Sequence, residues 1–144
     1  MTTCREVMTK DVQCCLPTDI VKSAAKMMRS EDVGSIPVVQ SQRSKKLLGI
    51  VTDRDLALKV VAEGQDPQQT RIDTVMTSDP ITCKENDDVG KAIQAMAAHQ
   101  IRRILVVNDD NVVLGIIAQA DIATRIDQPH TTADVVEKIS QSDS

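Results

Sequence analysis

The sequence predicts a mixed α+β (α/β) fold made of two copies of one βαββα unit, packed around a pseudo-two-fold axis. Three observations carry this. Val7-Met8-Thr9-Lys10-Asp11 returns 68 residues later as Val75-Met76-Thr77-Ser78-Asp79, and Cys15, Asp19, Val21, Ala24 and Met28 meet Cys83, Asp87, Val89, Ala92 and Met96 at the same offset. The offset then slips to 66, where Leu48-Gly49-Ile50 meets Leu114-Gly115-Ile116 and Asp55 meets Asp121. Within each copy the apolar spacing switches from helical to that of short runs. A copy of about 60 residues is marginal as an independent domain, so two copies are expected to pack on each other and create two related clefts.

The elements follow in order. Residues 11–16 read as a short extended segment closed by Pro17-Thr18-Asp19, with Asp19 or Thr18 available to cap the next helix. Val21, Ala24, Ala25 and Met28 recur at helical spacing, and Gly34 is placed to break that helix. Ile36-Pro37-Val38-Val39 is a short apolar strand whose proline suits a strand start or edge. A polar hairpin loop spans 40–46, the return strand 47–51. A second helix is expected over 53–63, with Leu56, Ala57, Val60 and Val61 on one face, before a linker at 64–69. The second copy repeats this: strand 80–83, a helix with Val89, Ala92, Ile93 and Met96 on its face, strand 104–107, turn 108–111, strand 112–117 and a helix starting at 121–125. Helical character resumes at 133–139 before a polar tail. The division is 1–66 for the first repeat, 67–130 for the second and 131–144 for a C-terminal helix and tail.

Composition narrows function. The 144 residues are 41% hydrophobic and 26% charged, with a formal net charge of −4. That balance is globular and offers no general attraction to nucleic acid or an anionic membrane. No Phe, Tyr or Trp is present, which removes the aromatic platform on which single-stranded nucleic acid stacks. No apolar run reaches the roughly 18–20 residues of a membrane span, and the first residues lack the apolar core of a signal peptide, so a cytoplasmic protein is expected. Cys4, Cys14, Cys15 and Cys83 form no Cys-x-x-Cys pair and lie far in sequence from His99 and His130, so no metal is expected. Cys15 and Cys83, in apolar segments, read as buried reduced thiols.

Two strand-to-helix junctions carry the candidate chemistry: 49–55 (Gly-Ile-Val-Thr-Asp-Arg-Asp) and 115–121 (Gly-Ile-Ile-Ala-Gln-Ala-Asp). Free N–H groups and the positive end of the helix dipole gather at such junctions and favour phosphate or a hydroxyl-rich ligand. The Thr52 hydroxyl can donate to a phosphate oxygen, and the two oxygens of Asp55 can accept from vicinal ribose hydroxyls. Thr52-x-x-Asp55 also has the spacing of a capping box, and the residues leave both readings open.

The two Val-Met-Thr starts, the strands at 36–39 and 104–107 and the Gly-hydrophobic-hydrophobic-Thr-x-x-Asp junction, in this order and twice, resemble the CBS domain, named after cystathionine β-synthase. The pair resembles a tandem or Bateman module over nearly the whole chain. The resemblance implies a stand-alone regulatory module that binds AMP, ADP, ATP, S-adenosylmethionine or NAD as a ligand, with no catalytic cofactor, and that signals to a protein partner. It implies that one cleft joins Thr52 and Asp55 to Thr77, Pro80, Ile81, Thr82, Ile101, Arg102 and Arg103. Ile81 and Ile101 would flank adenine, the backbone near Ile81 and Thr82 would read its edge, and Arg102 or Arg103, with Arg54, would neutralise phosphate. The other cleft would join Asp121 and Gln119 to Thr9, Val12, Gln13, Cys14, Val33, Gly34 and Ser35. There Ala118 replaces the threonine and Gly34-Ser35 replaces the arginine pair, so phosphate should bind poorly.

An enzyme is not expected: no Ser-His-Asp or Cys-His set falls in a plausible local frame, no metal ligands cluster and no glycine-rich phosphate loop is present. The alternative to a nucleotide sensor is a structural module that dimerises or docks without ligand. The resemblance implies a homodimer, and the apolar positions Leu56/Val60 and Val135/Val136/Ile139 give indirect support in the sequence. Neither nucleic acid nor membrane is an expected partner.

Overall fold

In the computed structural model, residues 1–120 and 122 are described. The expectations for Asp121, the helix at 121–125, His130 and the tail, including Val135, Val136 and Ile139, lie outside the described residues. The chain divides into two compact units: 12–80, and 1–11 together with the chain from Ile81 onward. No helix among the described residues is long and apolar enough to cross a membrane.

In the 12–80 unit, helix α2 (Val21–Glu31) leads to β1 (Ser35–Val39), which pairs antiparallel with β2 (Leu47–Thr52); β2 pairs in turn with the short β3 (Thr77–Ser78). In the other unit, α1 (Cys4–Val7) is the first element, β4 (Thr82–Lys84) runs parallel to β5 (Arg103–Val107), α4 (Val89–His99) connects them, and β6 (Val113–Ala118) returns antiparallel. Each unit thus holds a three-stranded sheet.

The repeat is visible in the register. Ser35 faces Thr52 as Arg103 faces Ala118, and each hairpin carries an irregularity at the same place, after Val38 and after Val106. The connection at 108–112 is two residues shorter than that at 40–46, which absorbs the slip in offset. The cores match too. Cys15, Val21, Ala24, Met28, Ile36, Val38 and Val51 fill one; Cys83, Val89, Ala92, Met96, Ile104, Val106 and Ile117 fill the other.

The Val-Met-Thr segments close the sheets. Ile72 N–H donates to Asp19 O and Asp73 N–H to Pro17 O; Cys4 N–H donates to Asp87 O and Arg5 N–H to Glu85 O. Thr77 then pairs with Ile50, and Thr9 bridges Ile116. This explains Gly49 and Gly115: a Cβ on Gly49 would lie 2.6 Å from Thr77 O, and one on Gly115 would lie 2.7 Å from Thr9 O. Each unit is therefore closed by the start of a sequence repeat whose remainder lies in the other unit.

Several local expectations change. Helix α2 has Ile20 at its N-cap with no side-chain cap. Asp19 instead accepts from Leu16 N–H at 2.9 Å, and Thr18 supplies no cap. The helix ends before Gly34 because Asp32 takes the left-handed conformation (φ 54°), as Gln100 does (φ 56°) after α4. The segment at 11–16 holds a single bridge, Cys15 to Val38, whereas β4 pairs three residues with β5. Extending the bridge either way needs an N–H at residue 37 or 17; both are prolines, and their counterparts are Leu105 and Glu85. The strand expected over 80–83 begins at Thr82.

The helix after β2 starts as α3 (Asp53–Asp55) and continues as a π-helix over Leu56–Val61. Its i→i+5 bonds, such as Ala62 N–H to Ala57 O, widen the turn and rotate the expected apolar face. Val60 is buried and Leu56 packs against the core, but Ala57 is exposed and Val61 is 77% exposed. Leu56 and Val60 thus serve their own unit and offer no free dimer face.

Candidate functional site

At the end of β2 the chain turns directly into α3, and Thr52 becomes its N-cap. Thr52 Oγ1 accepts from Asp55 N–H at 3.1 Å, and Asp55 Oδ2 accepts from Thr52 N–H at 2.9 Å. The capping box is fully formed, so the structural reading of Thr52-x-x-Asp55 holds. It does not exhaust the chemistry. The Thr52 hydroxyl uses only its acceptor side and keeps a proton to donate. Asp55 is 9% exposed. Each of its oxygens has one partner and a second lone pair.

The second partner of Asp55 is Lys59, whose Nζ lies 3.1 Å from Oδ1 and also donates to Val75 O at 2.9 Å. Sequence reasoning missed Lys59, although the i,i+4 Asp-Lys spacing was a usable signal. Lys59 ties the candidate carboxylate to the chain just before β3. Asp53 N–H donates to Gly34 O at 2.9 Å, and Ser35 faces Thr52 across the hairpin. Gly34, Ser35, Thr52 and Asp55 therefore belong to one hairpin end and its helix. Ser35 Oγ is buried and makes no hydrogen bond among the described residues. A buried hydroxyl without a partner costs about 1–3 kcal/mol, and an added donor or acceptor would relieve it.

The other expected residues of this unit take separate positions. Cys14 is buried; its thiol lies 3.5 Å from Val12 O, and its carbonyl accepts from the Gln42 amide at 2.8 Å. Burial pushes the Cys14 thiol pKa up, against a smaller downward pull from Lys45. Gln13, Arg54 and Thr77 are exposed, and Pro80 is half-buried. Asp53 Oδ1 accepts from the backbone N–H of Arg54 at 2.8 Å.

In the other unit the same architecture carries different side chains. Gln119 N–H donates to Arg102 O at 3.0 Å, the counterpart of the Asp53–Gly34 bond. Arg103 opens β5 opposite Ala118, and Arg102 is exposed. Ile101 is half-buried, its N–H donating to Met96 O at 3.0 Å. Ile81 is exposed, and Thr82 pairs with Leu105 at the start of β4. Asp121, the counterpart of Asp55, lies outside the described residues. Thr52 and Asp55 thus stand in one unit, and Ile81, Thr82, Ile101, Arg102 and Arg103 in the other. Among the described residues, no three His, Cys, Asp or Glu side chains are placed to hold a metal ion.

Both units carry an antiparallel hairpin, one beside the parallel β4/β5 pairing and the other ending in the acidic helix start at Asp53–Asp55. The family model for the CBS domain matches residues 4–62 and 72–128, and the chain belongs to that family. It is 38% identical over 123 residues to the CBS domain-containing protein YhcV of Bacillus subtilis, covering 85% of this chain and 84% of YhcV. Among solved structures it is similar to Hypoxic Response Protein I with two coordinated zinc ions, at 30% identity and a TM-score of 0.78, covering 87% of this chain and 99% of that one. It is also similar to the CBS domain pair of protein MJ0100 in complex with 5′-methylthioadenosine and S-adenosyl-L-methionine, at 27% identity and a TM-score of 0.75, covering 85% and 94%.

Proposed function

We propose that this chain is a non-catalytic regulatory module that binds an adenosine-containing ligand and passes the change to a protein partner. The observation that carries this is the hairpin end at Ser35, Thr52 and Asp55: a buried carboxylate with spare acceptor capacity, a hydroxyl with a free proton, and an unpartnered buried hydroxyl. That set suits a ribose diol. The adenosyl ligands bound by the MJ0100 pair support the same class. Arg102 and Arg103 are the proposed phosphate contacts, AMP, ADP and ATP the proposed nucleotides, and S-adenosylmethionine or NAD the alternatives. A ligand acts only by binding two arrangements of the protein unequally. The four free thiols suit a reducing, cytoplasmic setting, and a homodimer is the proposed assembly.

Calorimetry with AMP, ATP, S-adenosylmethionine, 5′-methylthioadenosine and NAD tests this. Binding of at least one is expected, lost in Asp55→Ala, with Arg102→Ala weakening AMP more than adenosine. Absence of binding to all five, or binding unchanged in Asp55→Ala, overturns it. The second reading is then a ligand-free dimerisation module, for which Leu58 (49% exposed) and Val61 are among the exposed apolar side chains.

A further inference from the structure

Within the 12–80 unit a second concave site lies between the helix that follows β2 and the chain at 65–75, a cavity of about 540 Å³. Ser35, Thr52 and Asp55 do not line it. Its size falls in the range of small-ligand pockets, roughly 300–1,000 Å³. One wall carries Leu58 and Lys59 on the π-helix and Glu63 just beyond it. Such winding is rare and recurs at functional sites. The facing wall is held from behind: Val21 N–H donates to Thr70 O and Ile72 N–H to Asp19 O, each at 2.9 Å. Lys59 joins the two walls by donating to Val75 O at 2.9 Å.

Two cations line this cavity with donors to spare. Lys59 Nζ spends two N–H groups, on Asp55 Oδ1 and Val75 O, and an ammonium has three. Arg71 meets Asp73 through Nη2 alone, at 2.7 Å. A guanidinium has five N–H groups, in a fork that fits a carboxylate or a phosphate. Acceptors line the cavity as well. The Thr70 and Thr74 hydroxyls donate to Asp66 O and Arg71 O, both at 2.7 Å, so each offers a ligand only lone pairs. Glu63 adds a carboxylate about one turn beyond Lys59 on the same helix.

We propose that this cavity binds a small anionic metabolite, its carboxylate or phosphate held by Lys59 and Arg71 and its hydroxyl or ammonium groups by Glu63 and the threonine oxygens. A bare anion answers only the two cations and meets Glu63 as a like charge. A molecule that carries donors as well answers both sets of groups. The site does not depend on adenosyl binding, because Asp55 is not one of its ligand contacts.

The test is an amide NMR titration of the full chain at constant ionic strength, with inorganic phosphate, ribose 5-phosphate and γ-aminobutyrate as probes and chloride as the control. Saturable shifts centred on residues 58–75 are expected with at least one of the two donor-bearing probes, and weaker binding with inorganic phosphate. Preference for ribose 5-phosphate assigns the anionic group as phosphate, preference for γ-aminobutyrate as carboxylate. Arg71→Gln and Lys59→Gln should each weaken the bound probe about tenfold or more, since a hydrogen bond to a charged group is lost. Glu63→Gln should weaken the donor-bearing probe about threefold and leave inorganic phosphate no weaker. Arg71 and Lys59 are 54% and 47% exposed, and exposed ion pairs add little stability, so these variants should keep the wild-type melting temperature to within a few degrees. Shifts that do not saturate with any probe, shifts centred outside 58–75, tightest binding by inorganic phosphate, or an affinity unchanged in Arg71→Gln overturns the proposal.

Discussion

The two units bury almost the same core and differ where side chains meet the outside or one another. The 12–80 unit has Thr52, Asp55 and Lys59 locked into a capping box and an ion pair, with Gly34-Ser35 alongside. The other unit has Ala118 opposite Arg103, and Arg102 bonded to Gln119. The 12–80 unit closes on Ile72 and is limited by Pro17 and Pro37; the other closes on Cys4 and carries a full parallel β4. Duplication thus kept the positions that fill a close-packed interior, where one methylene matters. It freed those at strand ends and caps, where chemistry can change without emptying the core.

The largest test of this comparison is at the closing position. Ile72→Ala should destabilise by about 2–5 kcal/mol, because Ile72 is fully buried. Cys4→Ala removes far less volume and should lose well under half of that in denaturant titration. Equal losses would show that the two units do not use the position alike. Next come the glycines under the closing segments. Gly49→Ala and Gly115→Ala should each lose about 1–3 kcal/mol, since the new methyl meets backbone oxygen. A neutral result at either would mean that its segment shifts without loss.

The caps come third. Thr52→Ala should lose about 0.5–2 kcal/mol of stability together with affinity for an adenosyl ligand. Loss of stability without change in affinity would leave the box purely structural. Alkaline titration probes the Cys15 thiol. Cys15 is neutral in the folded state and pushed up to about 12, above its unfolded value near 9. Its contribution is therefore intact below pH 9 and declines as pH rises from about 9 toward 12. Cys15→Ala should flatten that decline in melting curves; an unchanged slope would place the titration elsewhere. The most local effect belongs to Pro37→Leu, which copies Leu105 inside the buried strand β1. Hydrogen exchange should detect a new protected amide at residue 37, and an unprotected amide there would mean that the proline does not limit the pairing.

Much of the fold was legible before any geometry. The helix at Val89–His99 buries the residues its spacing named, and the hairpins and their slipped offset fall where the repeat placed them. The π-winding after Asp55 was not legible, because helix spacing assumes 3.6 residues per turn and Ala57 and Val61 were assigned inward on that basis. The left-handed ends at Asp32 and Gln100 were missed because glycine, not aspartate or glutamine, signals that conformation. Of the site, the Thr52–Asp55 box was legible as a spacing. Its tie to Lys59 and Val75 was not, since the spacing from Lys59 to Val75 has no local periodicity.

The amino-acid sequence by itself determined the duplication, the family, the core positions and the inequality of the two junctions, because each rests on residue type and spacing. Only the tertiary structure decided which repeat start closes which sheet, that Ser35 is a buried hydroxyl without a partner among the described residues, and that Cys4 and Cys83 share one core cluster. Those depend on which distant segments pack together. Long-range pairing is selected by the burial and hydrogen bonding of the whole unit, not by any local pattern.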